Sequence, residues 1–104
     1  MKIIKGFYKT GKVFVGNELL SSAPSQKLKN HSPDDFAWGY GGSGPAQLSL
    51  ALLLYLTGDE KFSLRHYQDF KCDVIANLKN DSDFVLPESE IEKWIFNKRS
   101  GIYE

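Results

Sequence analysis

Apolar and polar positions alternate at the start of the chain, crowd together in its middle, and recur every three to four residues toward its end. Ile3 to Tyr8 and Val13 to Val15 are β-branched and aromatic runs separated by Lys9-Thr10-Gly11-Lys12, which predicts a β-hairpin. Lys5, Phe7 and Lys9 alternate with Ile4, Gly6 and Tyr8, so one face is expected to be wet and the other covered. Gly16-Asn17 is a two-residue turn signal and predicts a short third strand near Glu18 to Leu20. Ser21 to Asp35, rich in Ser, Pro, Gln and Asn, reads as an irregular connection anchored by Leu28.

The middle of the chain predicts a helix that begins at Pro45, capped by Ser43 or Gly44. Leu48, Leu50, Leu52, Leu53, Leu54 and Leu56 leave it little polar face beyond Ser49 and Tyr55. A helix apolar on every side belongs inside, with the other elements around it. Gly58 supplies its stop, and Asp59 caps a second helix over about Lys61 to Lys79 with Leu64, Tyr67, Phe70, Val74 and Leu78 as its apolar stripe. Asn80 to Asp83 breaks that helix, and Phe84-Val85-Leu86 reads as a short extended piece. Pro87-Glu88-Ser89-Glu90 then opens a third helix with Ile91, Trp94 and Ile95 inward, acids in its first turn and Lys98-Arg99 in its last. The fold class expected is α+β, a small N-terminal antiparallel β-meander packed on three α-helices with the Leu-rich first helix central. Residues 1–104 form one domain.

Composition supports a packed core: aromatic residues are 13% of the chain and the formal net charge is zero. Cys72 is the one cysteine, which excludes an internal disulfide and a Cys-based zinc site, and its apolar neighbours predict a buried thiol. The N-terminus lacks a signal-like apolar run, and the longest apolar segment, Pro45 to Leu56, falls short of the ~20 residues that span a bilayer. The expectation is a cytoplasmic chain with no membrane association. Charge is uneven: residues 1–31 hold six lysines against Glu18, +5, and the remainder carries −5. A basic hairpin could meet an acidic protein, or attract the acidic helices of its own fold. Nucleic acid is the weaker reading, since the pI is about 6.7 and the only two arginines, Arg65 and Arg99, lie far apart.

The densest chemistry lies between Asn30 and Gln47. Gly39-Tyr40-Gly41-Gly42-Ser43-Gly44 satisfies G-x-G-x-x-G, but a dinucleotide site needs a strand before it and a βαβ unit after it, and Pro45 removes an N–H that phosphate would use. No P-loop lysine follows. His31, Ser32, Asp34, Asp35 and Ser43 are the acid–base or nucleophile types nearby, without the spacing of a known triad or nucleophile elbow. His66, Asp69 and Asp73 share a helix but fit a solvated face better than a metal site. No catalytic or metal-ligating residue and no cofactor is assigned. What remains is a Gly-rich, aromatic loop aimed at a helix N-terminus, where free N–H groups favour an anion.

The runs Asn30-His31-Ser32-Pro33 and Phe36-Ala37-Trp38-Gly39-Tyr40-Gly41-Gly42-Ser43-Gly44-Pro45-Ala46-Gln47-Leu48 are similar to a family of small uncharacterised bacterial and mobile-element proteins. Thr57-Gly58-Asp59, Tyr67-Gln68-Asp69-Phe70-Lys71 and Ile91-Glu92-Lys93-Trp94 extend the resemblance over nearly the whole chain. It implies one intact domain and carries no activity. The leading expectation is a non-enzymatic binding module for an anionic or nucleotide-like ligand, held by Trp38, Tyr40, Gly41, Gly42 and Ser43 with His31 at the rim. The alternative is a protein-interaction module, a small inhibitor or adaptor that uses the basic hairpin.

Overall fold

The computed structural model describes residues 2–32 and 36–101. Strands β1 (Ile3–Phe7), β2 (Lys12–Val15) and β3 (Glu18–Leu19) form the expected antiparallel meander. A fourth strand, β4 (Phe84–Pro87), pairs antiparallel with β1, so the sheet order is β3-β2-β1-β4 and β1 lies inside it. The extended piece at Phe84 therefore completes the sheet. Helices α1 (Ala23–Leu28), α2 (Ser43–Thr57), α3 (Glu60–Asp73) and α4 (Glu88–Ser100) supply the rest, with a 3-10 turn at Ile75–Asn77. The architecture is α+β.

The Leu-rich helix is the centre. Leu48, Leu50, Leu52 and Leu53 are fully buried, and α2 packs against α1, α3 and the 3-10 turn. Ser49 is buried too, its hydroxyl donating to the Pro45 carbonyl one turn back at 2.8 Å. Its uniform apolarity thus reflects neighbours on several sides. Gly58 ends it in the left-handed conformation, φ 65°, and the Asp59 carboxylate accepts from the Phe62 N–H at 3.0 Å to begin α3.

Alternation in the strands gives the sheet two faces. Ile4, Val13, Val15, Phe84 and Leu86 turn into the core. Gly6 stands opposite both Val13 and Phe84, and a side chain there would overlap the Phe84 ring and meet Trp38. Its bareness is the notch into which those two rings fit, edge to face at 4.8 Å.

Four expectations need correction. The span Ser21 to Asp35 contains α1, whose Pro24 is tolerated in the first turn, where N–H groups have no helical partner. α2 starts at Ser43 with Gly42 as cap, so Pro45 occupies the third helical position, where a missing N–H also costs nothing. The second helix stops at Asp73, where Val74 leaves helical geometry (φ −126°) and the 3-10 turn follows. The 3-10 turn buries Ile75, while Leu64 is 39% exposed because the inward face of α3 runs through Ser63, Tyr67 and Phe70. Cys72 is exposed, not buried, because α3 turns Tyr67 and Phe70 inward instead.

Candidate functional site

The Gly-rich segment packs against the bend that precedes β4. The Trp38 indole N–H donates to the Ser82 carbonyl at 2.8 Å and the Gly39 N–H to the Ile75 carbonyl at 3.0 Å. Gly39 has φ +84°, and a Cβ there would stand 2.6 Å from the backbone of Asn80. Trp38 is buried, and so is Phe36. Tyr40, by contrast, is 48% exposed. Its ring folds back over the start of α2: a Cβ on Gly42 would lie 2.4 Å from the ring, and one on Gly44 would meet Ala37 and approach the Tyr40 hydroxyl. Gly41 faces open space. Three of the four glycines thus serve close packing, and two of them seat an exposed tyrosine on bare backbone.

Tyr40 and Trp38 border a cavity of about 220 Å³ completed by Tyr8, Phe36, Ala37 and Asn80. Ser43 opens α2 and is exposed, Gly44 is buried, and Pro45 has no N–H to offer. Among the described residues, no lysine or arginine lines that cavity.

His31 is held elsewhere. Its ring Nε2 shares a hydrogen bond with the Tyr67 hydroxyl of α3, and its backbone N–H donates to the Gln47 side-chain oxygen at 2.7 Å. The Ser32 N–H donates to the same oxygen at 3.0 Å, while the Gln47 amide donates to Ser25 Oγ at 2.8 Å and to the Lys29 carbonyl at 3.2 Å. Fully buried Gln47 is therefore the node that ties α1 and the His31 segment onto α2. The structure gives His31 a tyrosine, not a serine, as its side-chain partner. Asp34 and Asp35, the acid–base candidates, lie outside the described residues. On α3, Asp69 pairs with Lys98 at 3.1 Å and Asp73 accepts from the Trp94 indole at 2.9 Å. Both carboxylates of the His66 cluster are thus engaged by α4.

Burial lowers the pKa of His31, with Lys29 and Lys71 adding to it, and burial also lowers His66, with Lys98 next. A histidine whose folded pKa lies below its unfolded value of about 6.5 stabilises the fold above that value and withdraws the contribution as pH falls through it. Unfolding midpoints in urea are expected to drop between pH 7.5 and pH 5.5. The slope should flatten in a variant carrying His31→Asn and His66→Asn; an unchanged slope would show that neither histidine causes it.

The outward face of the sheet is the feature least legible in the sequence. Register places Leu19, Phe14, Lys5 and Val85 in one row across all four strands, with Lys12 beside Phe7 in the next row. Val85 is 63% exposed, Leu19 53% and Phe7 41%. The Phe7 and Phe14 rings meet edge to face at 5.8 Å. Toward the hairpin tip the face deepens into an open groove of about 740 Å³, between Lys9 and Lys12 on one side and Asp81 and Asp83 on the other. Alternation about Lys5 and Phe7 was the available signal; what it lacked was β4, which adds Val85.

No curated protein and no solved structure matches the chain. A family model matches residues 5–97, which take in most of the sheet, the Gly-rich segment and nearly all of the helical layer: the chain belongs to the family of unknown function DUF6166.

Proposed function

We propose that the protein is an interaction module that docks an acidic, apolar-faced protein partner on the outer face of its sheet. One observation carries this reading: the row Leu19–Phe14–Lys5–Val85, flanked by Phe7, leaves large apolar side chains in water where an exposed sheet face is ordinarily polar. Phe7 and Phe14 are the natural anchors, since aromatic side chains at the centre of an interface dominate its energy. Lys5, Lys9 and Lys12 lie around them, against Asp81 and Asp83 at one end. Positive charge around an apolar centre steers an acidic partner and rejects a basic one. A second copy of the chain would bring lysines against lysines. A small adaptor or inhibitor of the kind that mobile elements encode fits this surface.

The alternative, an anionic ligand at the start of α2, draws support from the exposed Ser43 and the open approach to Gly41. It is weaker, because Tyr40 covers Gly42 and His31 is bonded to Tyr67.

Affinity capture with Lys5→Glu combined with Val85→Thr tests the docking face. Both positions are exposed, so the variant should keep its unfolding free energy within about 1 kcal/mol of the parent. A stoichiometric partner held by the parent, weakened by salt and lost by the variant is the expected result. A partner held equally by both would place the interface elsewhere.

A further inference from the structure

We infer that the cavity between Tyr8, Trp38 and Tyr40 is a cage for a small organic cation, a quaternary or alkylated ammonium group. The site is separate from the docking face, although Tyr8 also borders the groove of that face.

Four of its six described lining residues are aromatic, namely Tyr8, Phe36, Trp38 and Tyr40, and the others are Ala37 and Asn80. Aromatic faces carry negative charge density and attract cations, most strongly where water is excluded. Among the described lining residues there is no cationic side chain to repel one. Charge completes the pattern: Asp81 lines the adjoining groove together with Tyr8, and its carboxylate raises the Tyr8 pKa, which puts a negative charge beside the cavity. Asp81 holds this place in a left-handed conformation, φ 57°, uncommon for a residue other than glycine. An anion would meet the same carboxylate as repulsion.

Size fits the same class. The volume of about 220 Å³ is below that of most drug-like pockets, roughly 300–1,000 Å³. It admits one compact head group. Pre-organisation supports it further: Gly42 and Gly44 let the Tyr40 ring lie against the first turn of α2 while the residue stays half exposed, and Trp38 is pinned by its bond to Ser82. Rings fixed before binding lose little entropy when a ligand arrives.

The test is an NMR titration of the full chain with choline and, separately, with 3,3-dimethyl-1-butanol, its neutral isostere of the same shape. Shifts are followed at the Trp38 indole N–H and the Asn80 amide. Choline is expected to bind at least tenfold tighter than the alcohol. Tyr40→Leu, at an exposed position, should weaken choline by about tenfold while the spectrum of a folded protein persists, and Asp81→Asn, which keeps a residue tolerant of left-handed φ, should weaken choline but not the alcohol. Equal affinity for the two probes would reduce the site to an apolar hole and overturn the inference. No shift at either reporter with choline in large excess would overturn it as well. Inorganic phosphate shifting the same reporters more strongly than choline would favour an anion instead. Loss of the docking face in Lys5→Glu with Val85→Thr leaves these outcomes untouched, so the two readings fail separately.

Discussion

Gly39→Ala is expected to destabilise the fold by about 3–5 kcal/mol, from the left-handed backbone that an L-residue resists and from overlap with a main chain that cannot swing aside. A Cβ at this position would stand 2.6 Å from both the Asn80 N and Cα, at φ +84°. Domains of this size hold roughly 5–15 kcal/mol in total, so much of the margin disappears. The thermal midpoint should fall by at least about 12 °C. Gly41→Ala, two residues on, is the control: nothing lies within 4 Å of its Cβ, and the change should stay within about 0.5 kcal/mol. Equal effects in the two variants would refute the packing described for this segment. The contrast also separates architecture from ligand binding, because a phosphate-cradling loop would need both glycines bare.

Gln47→Leu is the second large effect. The substitution preserves approximate volume but removes the acceptor of the His31 and Ser32 N–H groups and the donor to Ser25 and Lys29. A buried group left unpaired costs about 1–3 kcal/mol. Water can reach part of the 29–32 segment, so a total near 3 kcal/mol is expected rather than the sum over four partners. Urea denaturation measures the loss, and hydrogen exchange locates it: the His31 and Ser32 amides should lose protection while those of Leu50 and Leu52 keep theirs relative to global stability. Uniform loss, or none, would mean that Gln47 is not the tether. With Gln47 so employed, the Ala46-Gln47 end of the motif is explained by packing alone.

Local chemistry made much of this fold legible. The hairpin, the Gly58 stop, the Asp59 cap and the centrality of the Leu-rich helix each follow from residues within a few positions of one another. What stayed hidden depends on partners far away in sequence. Phe84–Leu86 reads as extended in isolation, but only its pairing with β1, some eighty residues earlier, makes it a strand and puts Val85 on the open face. The stripe from Leu64 to Leu78 reads as one helix, and the break at Val74 has no periodic signature because the apolar spacing continues through it. At the candidate site the loop itself was conspicuous, while its employment was not. Glycine signals a need for bare backbone without saying whether a ligand or a tyrosine ring will lie on it. His31 shows the same limit: neither its bond to Tyr67 nor its tie to Gln47 has a local signature.

The proposed working surface is the sheet face and not the Gly-rich loop. Amide shift mapping of the isotope-labelled protein, with the captured partner added, tests that claim most directly. Shifts centred on Lys5, Phe7, Lys12, Phe14 and Val85, diminished by salt, are the predicted result. Shifts confined to residues 38–44, with the sheet face unmoved, would contradict it and return function to the start of α2.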